Sequence, residues 1–98
     1  DIPSVRSGPA LPAETLAVID LLKVLLKANA ARHRVAPRLI ADASDLERIA
    51  TEKQPDVAAL KGWRHELFGA DALRLRDGKT SLTVIDGEIV PVPLNGNG

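Results

Sequence analysis

Residues 16–26 have the sequence LAVIDLLKVLL, and this stretch decides the fold of the chain. Its apolar side chains recur at helical spacing, and Leu, Ala and Lys are good helix formers. At about 100° per residue, five of these side chains form one broad apolar arc. They are Val18, Ile19, Leu22, Leu25 and Leu26. We therefore expect a first amphipathic helix from Ala13 to about Arg34, with this arc facing the core.

The segment after the first helix contains a stop signal and a start signal. Pro37 prevents the helix from continuing and favours an extended conformation at Ala36, so residues 35–41 are predicted to be an apolar connector. Ser44 and Glu47 have the spacing of a capping box, in which each side chain satisfies a free backbone amide. This motif predicts the start of a second helix.

Two further helices are predicted beyond the second. A short one covers residues 57–61, and Gly62 is expected to break or bend the chain after it. A longer one covers residues 63–76 and contains Gly69. Because an interior glycine costs a helix about 1 kcal/mol relative to alanine, Gly69 indicates close packing or a break.

The pattern changes after these helices, where β-branched runs flank Asp86 and Gly87. Asp-Gly between such runs is a strong hairpin signal because both central turn positions need a positive φ. We predict a hairpin over residues 82–92, with Pro91 in an edge strand. The expected fold is mainly α: a small bundle of about four to five helices with a C-terminal β-hairpin.

The ends of the chain differ in composition from its middle. Residues 1–12 contain three prolines and one glycine, which predicts a linker, and residues 94–98 predict a flexible tail. One domain is expected over residues 13–93. The chain starts at Asp1 without an initiator Met and without the basic and apolar segments of a signal peptide. We therefore expect a fragment of a longer protein.

Bulk composition limits the possible functions. The net charge is zero and only two residues are aromatic, so composition alone does not indicate a free-standing nucleic-acid binder or a base-stacking platform. The chain has no cysteine, which excludes a disulfide framework and fits a reducing compartment; we expect the cytoplasm. The longest apolar stretch contains Asp20 and Lys23 and is too short to span a bilayer, so no membrane association is expected.

The sequence contains no recognisable catalytic or metal-binding motif. It has no nucleophile elbow, no phosphate-binding glycine loop and no pair of histidines at ligand spacing. The acids at Asp42, Asp45 and Glu47 are predicted to cap a helix rather than hold metal ions. His33 and His65 are far apart, each close to arginines, and are expected to be solvated. We expect no catalytic residue, no metal site and no cofactor in this chain.

Basic residues are the remaining candidates for function. No acid occurs between Asp20 and Asp42, and on a helical wheel three cations in this interval lie within about 40° of each other. They are Lys23, Lys27 and Arg34. Such a stripe could contact a phosphate backbone or an acidic partner, or it could be a solvated face. With Arg38 and Arg64, these residues are the candidate RNA-binding set.

Trp63 permits two interpretations. Beside Arg64 it could stack on an unpaired base. However, Leu60 and Leu67 lie three residues before it and four residues after it, which is the spacing of a core stripe. We expect Trp63 to be mostly buried, in which case Trp63→Ala would destabilise the domain by about 3–5 kcal/mol.

Three segments of this chain together resemble the C-terminal region of bacterial ribonuclease D. They are LLKVLLK (residues 21–27), VAPRLIA with DLERIA (residues 35–41 and 45–50), and LKGWRHELFGADALRL (residues 60–75). Their order is similar to that of the helicase-and-RNase-D C-terminal (HRDC) family, in which a long helix precedes a connector, a short helix and a G…(F/Y)G…L element. The resemblance covers roughly residues 16–85, and the hairpin is not part of a common HRDC domain.

The resemblance implies an all-helical accessory domain attached to a 3′→5′ exoribonuclease that trims RNA, including tRNA precursors. In that family a separate exonuclease domain supplies acidic residues and divalent metal ions, and no position here matches its motifs. We therefore expect weak RNA binding through the longer protein, with the exonuclease domain as partner. The alternative is a purely structural module that docks on the exonuclease domain and another helical domain. An independent enzyme is a third, less favoured interpretation.

Overall fold

The first helix, α1, covers Ala13–His33 and carries the predicted apolar arc into the core. Ile19, Leu22, Leu25 and Leu26 are buried and Val18 is half-buried. The computed structural model describes residues 11–94. Apart from Leu11, Pro12 and Leu94, the predicted linker and tail therefore lie outside the described residues. Leu11 packs against the core, directly before α1 begins.

The end of α1 is formed by a left-handed residue. Arg34 has φ 60° and ψ 43°, a conformation that costs a non-glycine residue about 1–2 kcal/mol. It lets the amide of Val35 donate to the carbonyl of Ala30 at 2.9 Å, so a terminal carbonyl is satisfied as at glycine-terminated helices. Arg34 therefore lies outside the helix, and a helical wheel does not give the direction of its side chain.

The predicted apolar connector contains a helical turn, α2, at Pro37–Ile40. Pro37 stands at the start of this turn, where proline is favoured because its missing N–H would have no helical partner and its φ is already helical. The proline thus both separates α2 from α1 and starts the new turn. Ile40 and Ala41 at its end are buried in the core.

Helix α3, Ala43–Thr51, is capped by a different residue pair from the predicted one. The amide of Asp45 donates to Oδ1 of Asp42 at 2.9 Å, and the amide of Asp42 donates to Oδ2 of Asp45 at 3.4 Å. The predicted cap by Ser44 and Glu47 was wrong because the helix begins one residue before Ser44. Aspartate is as good an N-cap as serine.

Ion pairs hold the loop between α3 and the next helical turn, Ala58–Leu60, which is a 3₁₀ turn. Arg48 donates to Glu52 at 2.8 Å, and this hydrogen bond lowers the pKa of the Glu52 carboxyl below its ordinary value. The hydrogen bond from Lys61, whose Nζ lies 2.6 Å from Oδ1 of Asp56, likewise lowers the pKa of Asp56. The lowered pKa of each carboxyl extends its charged range, and with it the ion pair, to more acidic pH.

Residues 62–76 form one continuous helical segment: helix α4 (Gly62–Arg64), a π turn (His65–Gly69) and helix α5 (Ala70–Arg76). Gly62 has φ +58° and turns the chain into this segment, as expected of a break. A Cβ on Gly69 would lie 2.7 Å from the carbonyl oxygen of Ala59. The interior glycine therefore marks close packing against the 3₁₀ turn.

A β-hairpin completes the domain. Strand β1, Thr80–Ile85, pairs with strand β2, Glu88–Pro93, in antiparallel register, and the hairpin is slightly longer than predicted. Asp86 and Gly87 have φ 53° and 82°, as the Asp-Gly signal predicts for a two-residue turn. Strand β2 packs against α1 and β1 packs against α5. The mainly α fold with a terminal hairpin is confirmed.

Phe68, not Trp63, is the aromatic residue of the core. Phe68 is 0% exposed, whereas Trp63 is 47% exposed, so the prediction of a buried tryptophan was wrong. The predicted stripe assumed one regular helix through Leu60, Trp63 and Leu67. In the structure Leu60 precedes the turn at Gly62, and the π turn changes the angular step before Leu67.

None of the helices within residues 11–94 is both long enough and apolar enough to cross a membrane.

Candidate nucleic-acid interface

A groove of about 610 Å³ lies between α1 and the turn of the hairpin. Lys27 and Arg34 line its helical side, and Glu88 and Ile89 line its hairpin side. Together with Arg32, which also lines the groove, these cations outnumber the single acid of the hairpin wall by three to one. The groove is therefore a concave, mixed surface with an excess of positive charge, able to bind an anionic chain by its backbone.

The hairpin wall of the groove is fixed to α1 by Arg32. Its guanidinium donates to the carbonyl of Ile89 at 2.9 Å and to the side-chain oxygen of Asn29 at 2.8 Å. Asn29, only 1% exposed, donates in turn to the carbonyl of Leu67 at 2.8 Å and to Asp71 at 3.1 Å. Arg32 is thus engaged in holding the groove together.

The predicted cationic stripe is only partly brought together. Lys27 and Arg34 share the groove, whereas Lys23 does not line it. The ammonium of Lys23 lies 4.0 Å from a carboxylate oxygen of Asp20, in an exposed pair one turn earlier on α1. Such pairs are weak, so Lys23 can exchange this partner for another anion.

Arg38 and Arg64, the other two candidate RNA-binding residues, lie on a second surface formed by α2 and the start of helix α4. Nε of Arg64 donates to the carbonyl of Leu39 at 2.9 Å. The Arg64 guanidinium carbon also lies 4.5 Å from the centre of the Trp63 ring, which is a cation–π contact. Arg38 is exposed on α2, beside Leu39.

The acids and histidines form no site among residues 11–94, where no group of three or more His, Asp or Glu side chains could hold a metal ion. Asp42 and Asp45 cap α3, as expected, and Glu47 is exposed. His33 and His65 are both exposed, on different elements.

Two features of this surface escaped the sequence reasoning. Trp63 lies between the turn at Gly62 and the π turn at His65–Gly69, and Gly62 was the available signal that Leu60 and Trp63 do not share one regular helix. Asn29 lies on the apolar face of α1, at a position three residues after Leu26, and a polar residue there was the available signal for a buried hydrogen-bonding group.

Fold and surface together define a small helical domain, closed by a hairpin, with a cationic groove. Its sequence is 47% identical over 95 residues to a ribonuclease D of Granulibacter bethesdensis. It is 42% identical over 92 residues to one of Gluconacetobacter diazotrophicus, and 50% identical over 76 residues to one of Nitrobacter hamburgensis. The matches cover 97%, 94% and 78% of this chain.

The chain therefore matches one segment of ribonuclease D proteins, and the predicted resemblance is confirmed. It spans only 23%, 23% and 20% of the length of these three relatives. No family model matches the chain, and no solved structure matches it significantly.

Proposed function

We propose that this chain is the C-terminal, HRDC-like accessory domain of a ribonuclease D, in which it holds RNA and supplies no catalytic residue. The longer protein would be a cytoplasmic 3′→5′ exoribonuclease that trims RNA, including tRNA 3′ ends. Its exonuclease domain would hold the divalent metal ions. The relatives supply the family and the kind of substrate, because each is named ribonuclease D.

The observation that carries an RNA-holding role is the pairing of Lys27 and Arg34 in one groove. Neither cation is neutralised by an ion pair within residues 11–94, since the five pairs found there involve other basic residues. Two unpaired cations in a concave surface suit contacts with successive phosphates. Binding should be weak and insensitive to sequence, because such contacts reach no base edge.

Salt dependence and charge reversal test this role. Each phosphate contact on a single strand should contribute about −0.7 to the slope of log K against log salt. Lys27 and Arg34 together should give a slope of about −1.4, and about −2 if Lys23 also contributes. We expect the double variant Lys27→Glu, Arg34→Glu to abolish binding of a labelled single-stranded RNA, measured by fluorescence anisotropy.

A matched control reverses two exposed cations that do not line the groove, Lys53 and Lys79. This double variant has the same net charge and should keep most of the affinity. Glu88→Gln should strengthen binding because it removes the acid from the groove wall. Equal weakening by both double variants would mean that only net charge matters and that the groove is not an RNA site.

A purely structural role is the second candidate, and the hairpin favours it. Val84 and Ile85 are 62% and 50% exposed beside the turn, on opposite faces of β1, so the tip of the hairpin could insert between two other domains. In that case Val84→Ser with Ile85→Ser would release the domain from the exonuclease domain, and the charge reversals would leave RNA binding by the longer protein unchanged.

A further inference from the structure

Trp63 is exposed although a large aromatic side chain gains stability from burial. The residue is 47% exposed, while Phe68, five residues along, takes the aromatic position in the core. Packing therefore does not account for the position of Trp63. It is also the only tryptophan in the chain. An exposed aromatic ring on a helical surface is a platform on which a planar group can stack.

The ring is held by its neighbour. The guanidinium of Arg64 lies 4.5 Å from the ring centre and is fixed from its other side, where Nε donates to the carbonyl of Leu39 at 2.9 Å. Because this hydrogen bond joins helix α4 to α2, the Trp63–Arg64 pair is ordered before any ligand arrives. A pre-ordered stack loses less entropy on binding than two free side chains would.

Two basic residues, Arg34 and Arg38, lie in the chain segment that connects the groove to the α2 turn beside this pair. Arg34 and Leu39 are five residues apart, so their Cα atoms are at most about 18 Å apart, which is less than the smallest extent of the domain, 27 Å. Arg38 lies between them in the chain and forms no ion pair within the described residues. One exposed acid, Glu66, lies a turn after Trp63 on its helix.

We propose that the Trp63–Arg64 pair is a stacking site for an unpaired base of single-stranded RNA, whose backbone continues past Arg38 toward the groove. This inference rests on the proposed function and adds a base contact to its phosphate contacts. Aromatic rings and guanidinium planes are the surfaces on which proteins stack splayed RNA bases. The basic neighbours favour a polyanion over an apolar protein surface, which would leave Arg38 desolvated without a partner.

The test compares two ligands of equal charge, a short oligoadenylate and an abasic oligomer with the same phosphate backbone. The single indole N–H of the 98-residue chain gives one NMR signal that reports on Trp63 alone. We expect this signal to shift with oligoadenylate and to stay in place with the abasic oligomer. We expect indole fluorescence to be quenched by the oligoadenylate only.

Substitutions separate stacking from charge. Trp63→Ala should weaken oligoadenylate binding about ten-fold, because the stacking of one base on the ring is lost. It should leave the affinity for the abasic oligomer unchanged. Trp63→Phe should retain most of the affinity, and Arg64→Lys should lower it because an ammonium keeps the charge but has no plane. Circular dichroism of each variant checks that it is folded.

The outcomes distinguish this inference from the proposed function. Equal affinity for both oligomers, with no effect of Trp63→Ala, would overturn the stacking site while loss of binding on reversing Lys27 and Arg34 would still support the groove. Weakening by Trp63→Ala without any effect of the groove reversal would support stacking and overturn the groove. Absence of binding by either oligomer at millimolar concentration would overturn both.

Discussion

At the scale of single residues, the two aromatic side chains differ in role: Phe68 stabilises the core and Trp63 lies on the surface. Phe68 is the largest of the fully buried side chains in residues 11–94 and belongs to the core formed by α1, α3 and the helical segment 62–76. Truncating it removes many contacts and leaves a cavity that close-packed neighbours fill only partly. Trp63 has about half of its surface in water and leaves no comparable cavity.

We therefore expect Phe68→Ala to lower the free energy of unfolding by about 3–5 kcal/mol. Trp63→Ala should lower it by about 1 kcal/mol or less. Urea denaturation followed by far-ultraviolet circular dichroism measures both, since the helical backbone dominates that signal in either variant. A larger loss of unfolding free energy for Trp63→Ala than for Phe68→Ala would show that Trp63 is a core residue after all.

The contrast also shows which residue positions local sequence can predict. The buried face of α1 followed from its own 3.6-residue period, because that helix is regular over all of Ala13–His33. The position of Trp63 did not, because a turn at Gly62 and a π turn interrupt the period there. The helical wheel grouped Arg34 with Lys23 for a different reason: the helix was predicted to reach Arg34, whereas α1 ends at His33.

At the scale of elements, the fit between the 3₁₀ turn and the π turn depends on the missing side chain of Gly69. A methyl group there would lie 2.7 Å from the carbonyl oxygen of Ala59 and 3.0 Å from Cδ2 of Leu60. The leucine side chain can move, but the backbone oxygen cannot move without shifting the turn. The steric cost therefore outweighs the gain in helix propensity from glycine to alanine, about 1 kcal/mol.

Gly69→Ala is accordingly expected to destabilise the domain by about 1–3 kcal/mol. The comparison is Ala17→Gly on the exposed face of α1, which should cost about 1 kcal/mol through propensity alone. Thermal unfolding of both variants gives the two values. Stabilisation by Gly69→Ala would mean that the two turns are not in close contact.

Most elements could be predicted from local signals of this kind. The Asp-Gly turn and the apolar runs beside it suffice for a hairpin, and the acids before α3 suffice for a capped helix start, although serine and aspartate compete for the cap. The π turn and the α2 turn could not be predicted, because tertiary packing stabilises them. Of the candidate site, only the basic residues could be predicted. The groove depends on contact between α1 and the distant hairpin, and the exposed ring depends on the irregular helix between Gly62 and Gly69.

At the scale of the whole molecule, Asn29 connects three parts of the fold. Its amide nitrogen binds Leu67 and Asp71, which are 38 and 42 residues away, and its oxygen accepts from Arg32, which holds strand β2. Within residues 11–94 every buried side-chain polar atom has a hydrogen-bond partner. Because Asn29 is buried, losing its amide would leave the carbonyl of half-buried Leu67 without this donor and would remove the side-chain partner of Arg32.

Asn29→Ala should therefore lower the free energy of unfolding by about 1–3 kcal/mol. Arg32→Ala tests the attachment of the hairpin: it should speed hydrogen exchange of the β2 amides more than that of the helical core. The hairpin loses its hydrogen bond to Arg32, whereas Asn29 loses only the donor to its side-chain oxygen and keeps its own bonds to Leu67 and Asp71. Hydrogen exchange measured by NMR separates the two effects, and the amides of α3 serve as the internal control. Faster exchange in α3 as well as in β2 would show that the hairpin and the helices unfold as one unit. In that case Arg32 would stabilise the whole domain, and the groove beside it could not open independently.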